Sequence, residues 1–215
     1  MIISFLSQKG GVGKSTLTRL IAREYALHGW DVKIADMDTS QGTCVSWHRR
    51  RLDADTKPEI SAETFSTVAK ALRAGEQHDL LVFDSAPHGS QMTLQIARSS
   101  DVIILPCGIA IDDLEPQILL AHDLIKKGIP KSQIAFAFCR VGDSEAELSE
   151  AKDYIRLAGY SLLKGYIPER TGYRRASDAG CAISETKFKT LNDRAAELAQ
   201  SVIDMAEAIS KKGAA

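Results

Sequence analysis

One run narrows the folds open to this 215-residue chain more than any other: Lys9-Gly10-Gly11-Val12-Gly13-Lys14-Ser15-Thr16, set between an apolar stretch at 2–6 and the helical pattern Leu17-Thr-Arg-Leu-Ile-Ala. Strand, glycine-rich turn and helix, in that order, make a cradle for phosphate. Glycines let consecutive backbone N–H groups turn inward onto anionic oxygens at the positive end of the helix dipole. Lys14 adds a mobile cation for the terminal phosphates, and the Ser15 hydroxyl is a natural ligand for the accompanying Mg²⁺.

The rest of the chain repeats the same alternation. Apolar runs at 2–6, 32–35, 80–83, 102–105, 134–138 and 162–167 read as strands, several apolar throughout, as expected for strands covered on both faces. Helical periods lie near 14–28, 43–51, 64–74, 90–99, 113–127, 145–158 and 187–210. The pattern predicts an α/β fold: a doubly wound, mostly parallel sheet with helices on both faces and its ligand beyond the carboxyl ends of the strands. Residues 52–62 read as a surface connection leading into a short strand at 59–61. No linker, repeat or low-complexity tract divides the chain, so residues 1–215 are expected to form a single domain.

Composition excludes several classes. At 44% hydrophobic and 26% charged, the chain is neither collagen-like, disordered nor coiled-coil. With 27 basic against 28 acidic side chains it is not a globally basic nucleic-acid binder, although one basic face is compatible with that balance. No apolar run approaches the roughly 20 residues needed to span a bilayer, so a cytoplasmic protein is expected. Cys44, Cys107, Cys139 and Cys181 form no C-x-x-C pair and are expected as small, mostly buried side chains in a reducing compartment.

Two more segments carry chemistry. Asp36 and Asp38 sit at i and i+2 at the end of the second strand, so both carboxylates can face a metal and an attacking water. The run Leu80-Leu-Val-Phe-Asp84 delivers an aspartate to a strand's carboxyl end, where it can hold a water on Mg²⁺; Ser85-Ala-Pro-His-Gly89 follows it.

A plain Walker A motif would need glycine where Gln8 stands. The pattern K-G-G-x-G-K-[ST] instead resembles the deviant Walker A ATPases, the P-loop proteins that include ParA partition proteins, MinD and the nitrogenase iron protein. The resemblance implies ATP hydrolysis to ADP with Mg²⁺, and an ATP-dependent homodimer in which Lys9 reaches across to the partner's nucleotide. It gives Lys9, Lys14 and Asp38 catalytic roles, Asp38 orienting the water in a switch I segment that continues through Gln41-Gly42-Thr43 and Trp47. Ser15, Asp36 and Asp84 become the metal set, and 85–89 resembles switch II. Gly10, Gly11, Val12, Gly13, Lys14, Ser15 and Thr16 hold phosphate, while Pro168, Glu169 and Arg170, with Arg140, match the segment that closes over adenine. Thr39 stands where many relatives have proline, and Cys139 where they often have an amide.

The cargo is less defined than the engine. Between Lys164 and Arg194 there are seven basic and four acidic residues, and His48-Arg49-Arg50-Arg51 forms a second basic group. Arg174, Arg175, Lys187 and Lys189 are the expected contacts to DNA, made without sequence preference. This supports a nucleoid-associated, ParA-like ATPase that positions a plasmid, chromosome region or protein cargo. A MinD-like membrane switch is the alternative, but residues 198–209, with small side chains, Asp204 and Glu207, suit packing on a sheet better than lipid, so no membrane contact is expected. Electron transfer would need two thiolates per subunit near a dimer axis, and only Cys107, at a strand's carboxyl end, is so placed. Because the nucleotide loop begins at residue 9, no helix-turn-helix domain is expected ahead of it. The chain thus resembles small ParA proteins that rely on a separate partner to stimulate hydrolysis.

Overall fold

In the computed structural model, which describes residues 1–86 and 91–213, eight strands form one sheet: β1 (Ile2–Phe5), β2 (Val32–Asp36), β3 (Ser61–Thr64), β4 (Leu80–Asp84), β5 (Val102–Cys107), β6 (Ile134–Val141), β7 (Ser161–Leu162) and β8 (Ile167–Pro168). Their order is β3-β2-β4-β1-β5-β6-β7, with β8 on the far stretch of β6, and every pairing is parallel. The central strands β2, β4 and β5 are buried at every position, which is why they read as continuous apolar runs.

Among the described residues eight α-helices cover the two faces: α1 (Lys14–Leu27), α2 (Thr43–Asp53), α3 (Val68–Gly75), α4 (Gln91–Ser99), α5 (Ile111–Lys126), α6 (Glu145–Leu157), α7 (Thr171–Asp178) and α8 (Lys189–Gly213). Alternation along each strand feeds two cores. Val102 and Ile104 join Leu17, Trp47, Tyr173 and Leu198 on the face of α1, α2, α7 and α8. Ile103 and Leu105 join Val68, Ile96, Leu114 and Leu148 under α3 to α6.

Three details differ from the sequence reading. The strand expected at 162–167 is two short strands, because the chain turns at Gly165, whose φ of +77° favours glycine. The strand expected at 59–61 lies at Ser61–Thr64, in register with β2, so α3 starts only at Val68, where the Thr67 hydroxyl accepts from Lys70 N–H. Helix α7 was not anticipated: only Tyr173 and Ala176 of its eight residues are buried, too few for a visible period. Residues 87–89 of the switch II reading lie outside the described residues.

Register fixes the site. Phe5 pairs with Asp84 and Asp84 with Asp36, so β1 releases the glycine loop beside both carboxylates. From β1 the chain crosses to β2 on one side, and from β4 it crosses over β1 to β5 on the other. That reversal leaves the crevice in which open α/β sheets bind ligands.

Candidate nucleotide site

The loop is built around two left-handed glycines, Gly11 at φ +76° and Gly13 at φ +108°, the latter capping α1. A side chain at Gly13 would strain the backbone and would also press its Cβ to 2.9 Å from Cys139 Cβ and Sγ, so Cys139 on β6 is the wall behind the loop. Lys14 is 7% exposed and donates from Nζ to the Lys9 carbonyl at 3.0 Å. Burial lowers its pKa, opposed by the charges of Asp84 and Asp38.

Beneath the loop lie two buried carboxylates and a thiol. Asp36 accepts from the N–H groups of Asp38 (3.1 Å), Cys44 (2.8 Å) and Val45 (3.4 Å), yet burial and then the charge of Asp84 push its pKa up to about 6. The 2% exposed Asp84 is also pushed up by burial, against hydrogen bonds from Ser15 and Cys44 and the charges of Arg19 and Lys14. Cys44 Sγ donates to Asp84 Oδ2 at 3.1 Å, while Oδ1 is buried without a partner. Ligand atoms of Asp36, Cys44 and Asp84 lie within 4.8 Å of one another. Two buried carboxylates and an orphaned oxygen beside the Ser15 hydroxyl are a donor set that a hard divalent cation completes, so the residues fit Mg²⁺. Cys44, which the sequence reading did not single out, enters from the first turn of α2.

Asp38 closes its own loop. Its carboxylate accepts from Ser40 N (3.2 Å), Ser40 Oγ (2.5 Å) and Gln41 N (3.1 Å). Burial would raise its pKa, but the bonds from Ser40 and Gln41 outweigh that and hold it below the usual carboxylate range, so it stays ionised at neutral pH. Lys9 points away from its own loop to the start of α5, where Nζ meets Asp113 Oδ1 at 2.5 Å and the Asp112 carbonyl at 3.0 Å.

A cavity of about 550 Å³ runs from this cluster to the far strands. Gly10, Gly11, Gly13, Lys14, Ser15 and Thr16 line one end with Asp38 and Asp84; Arg140, Pro168, Glu169, Arg170 and Arg174 line the other. Val12 instead packs inward at 4% exposure, Asp36 supports the cavity from below, and Lys9 lies off it. Arg19, which donates to the Ser15 carbonyl at 2.7 Å, is a lining residue that the sequence reading missed. At the far end Arg140 adopts φ +57° and bridges the Gly11 carbonyl (3.1 Å) to Glu169 (3.1 Å), whose other oxygen takes Arg174 at 2.7 Å. Arg170 pairs with Asp143.

The basic residues divide. Arg174, Arg175, Lys187 and Lys189 are all exposed; Arg174 also lines the cavity, and Lys189 pairs with Asp193 at 2.7 Å along α8. Arg49 and Arg50 are exposed, and Arg50 reaches the Ser177 carbonyl of α7 at 3.3 Å. Arg51, read from sequence as part of the same basic group, is 1% exposed and committed to Glu185; its guanidinium is structural because α2 turns that side onto the core. Cys107 is fully buried and burial pushes its thiol pKa well up, so the residue most suited to the electron-transfer reading offers no surface thiolate. Among the described residues no helix is long and apolar enough to cross a membrane.

Residues 3–182 match the model of the CobQ/CobB/MinD/ParA nucleotide binding domain. No curated protein sequence matches the chain. The fold is similar to the cell division ATPase MinD of Pyrococcus furiosus (TM-score 0.77, 18% identity, covering 95% of this chain and 98% of that one). It is also similar to a Cyanothece McdA–ATP complex (0.73, 14%, 93% and 95%). A third similar structure is a Borrelia burgdorferi protein assigned to plasmid partition and bound to AMPPNP (0.67, 17%, 95% and 97%).

Proposed function

The chain belongs to the CobQ/CobB/MinD/ParA nucleotide-binding family, and from that premise we propose that it is a Mg²⁺-dependent ATPase that dimerises around ATP and binds double-stranded DNA without sequence preference. In this reading hydrolysis, stimulated by a partner protein, releases the DNA and so partitions a plasmid, a chromosome region or a protein cargo. The observation that carries the ATPase is the orphaned Asp84 Oδ1, held in register with Asp36 beside Lys14 and Ser15. Ser15, Asp36 and Asp84 would hold the metal, which offsets phosphate charge. Lys14 gives up the Lys9 carbonyl for the terminal phosphates, and ionised Asp38 orients the attacking water. Arg140, Pro168 and Glu169 border the far end of the cavity, where the base would sit.

DNA is favoured as the dimer's surface because α2, directly after switch I, touches α7, directly after the base-contact loop. Arg50 meets Ser177 there, with Arg49 and Arg175 exposed nearby in sequence. A basic surface anchored to both nucleotide-sensing segments can change its shape with the bound nucleotide. The membrane alternative needs a free apolar stripe, but Leu198, Val202 and Ala206 of α8 are buried in the core. Fluorescence anisotropy on random duplex DNA tests the proposal. Binding should require ATP, fail with ADP, and lose about 0.9 from its log-log salt slope for each phosphate contact removed by Arg49→Ala, Arg50→Ala or Arg175→Ala. Equal binding with ADP, or ATP-driven pelleting with anionic liposomes alone, would reject it.

A further inference from the structure

A second cavity, of about 530 Å³, lies at the other end of α1, where the chain leaves the helix. The 14 residues of α1 separate it from the glycine loop by about 20 Å along the helix axis. Its first wall is the turn that ends α1. Gly29, at φ +84°, donates from its N–H to the Ala26 carbonyl (3.1 Å) and Trp30 from its own to the Tyr25 carbonyl (3.2 Å), and this paired closure folds the indole back onto the Tyr25 ring. The two rings meet edge to face, with centroids 4.9 Å apart and planes at 75°. Any apolar side chain would complete such a turn, yet the residue there is a tryptophan that stays 39% exposed. The opposite wall is α8, which supplies the half-buried Ile203 and the exposed Glu207.

We propose that this cavity binds a small alkylammonium ion, free or N-methylated, held between the Trp30 and Tyr25 rings and the Glu207 carboxylate. Near-perpendicular aromatic walls attract a cation through their π faces, and a carboxylate beside them supplies the counter-charge. The negative charge is felt inside the cavity: after burial, Glu207 is the second cause that pushes the Tyr25 phenol up to about 12. Lys211, which also lines the cavity, already places one ammonium on Glu207 at 3.2 Å. That pair joins successive turns of α8 with side chains 79% and 60% exposed, so it is weak and yields to a ligand that also gains the rings. Glu24, the other acid in the lining, is already committed, its Oε1 accepting from Arg23 (2.9 Å) and Ser184 (2.6 Å). The volume falls within the roughly 300–1,000 Å³ of small-molecule sites. No residue given a role in hydrolysis lines this cavity, so the site stands apart from the ATPase reading.

The probes are choline, butylammonium and the uncharged dimethylbutanol isostere of choline, titrated by calorimetry and by tryptophan fluorescence. Of the two tryptophans Trp47 is fully buried, so a saturable fluorescence change reports Trp30. At least one of the two cations should bind with a Kd of about 1 mM or tighter, and the isostere about tenfold more weakly or not at all. Trp30→Leu, which keeps an apolar contact in the turn, should weaken the cation about tenfold and Glu207→Gln about threefold, while Lys211→Met, which removes the competing ammonium, should tighten it about twofold. Glu207→Gln and Lys211→Met change exposed side chains and carry the test if Trp30→Leu fails to fold. ATP titration should be the same in every variant. Absence of saturable binding by either cation, equal binding of the isostere, or a cation affinity indifferent to Glu207→Gln and Trp30→Leu would overturn the site.

Discussion

Two clusters of buried charge lie on the same face of the sheet, and they are finished in opposite ways. In the first, Arg51 donates to Pro58 O (3.1 Å), Gly180 O (3.2 Å) and both Glu185 oxygens (2.7 and 3.0 Å), under the Trp47 ring at 5.4 Å. Glu185 further accepts from Ala182 N–H (2.7 Å) and Arg23 (3.3 Å). Burial would raise the Glu185 pKa, but Arg51 leads a set of partners that lowers it instead. In the second, Asp36 and Asp84 are both pushed upward and Asp84 Oδ1 has no partner. Burial of charge is common to the two. Completion by the chain's own atoms separates a joint, which ties α2 to the segment after α7, from a site that waits for a ligand.

The comparison breaks most visibly in function. Lys14→Ala should abolish ATP binding by isothermal titration while leaving the urea unfolding midpoint nearly unchanged, and Asp38→Ala should still bind ATP, accumulate as a dimer and lose about 10²–10⁴-fold in hydrolysis. Full hydrolysis by Asp38→Ala would remove its role. The joint should respond the other way. Glu185→Ala strands the Arg51 guanidinium and should cost about 3–5 kcal/mol in urea unfolding, with any residual folded protein binding ATP normally; a cost below about 1 kcal/mol would mean the pair is not the joint described.

Smaller still is the pH effect of the second cluster. Asp36 rises from 3.8 unfolded to about 6 folded, so the native state holds more protons than the unfolded one between those values, and stability falls as pH rises through them. In EDTA, Asp36→Asn should therefore be more stable than wild type at pH 7 by about 1–3 kcal/mol, with the gap closing below about pH 4. The depressed Glu185 has the opposite sign, its contribution being lost as pH falls below the ordinary carboxylate range. A gap that persists unchanged to pH 3 would show that Asp36→Asn acts through packing and not charge.

Legibility followed the same division. The glycine loop, Asp36 and Asp84 were readable because each is a local pattern: glycines between strand and helix, an aspartate ending an apolar run. Even the proximity of the two carboxylates follows from a parallel sheet with β2 beside β4. The Arg51–Glu185 joint was not readable, because its partners are 134 residues apart and Arg51 sits in a run of three arginines of which only one turns inward. Helix α7 was hidden by its thin apolar stripe, and the destination of Lys9 by a contact of sequence separation 104. Cys44 reads as a generic buried thiol until the first turn of α2 sets it against Asp84.

The central claim is that the unfinished cluster is completed by metal-bound nucleotide, and linkage between the two ligands tests it most directly. ATP affinity should be measured by titration calorimetry in Mg²⁺ and in EDTA, for wild type and Asp84→Asn. The account predicts that Mg²⁺ tightens ATP binding at least about tenfold in wild type, equivalent to about 1.4 kcal/mol, and has almost no effect in Asp84→Asn. Equal affinity of the wild type with and without Mg²⁺, or an undiminished Mg²⁺ effect in Asp84→Asn, would contradict it.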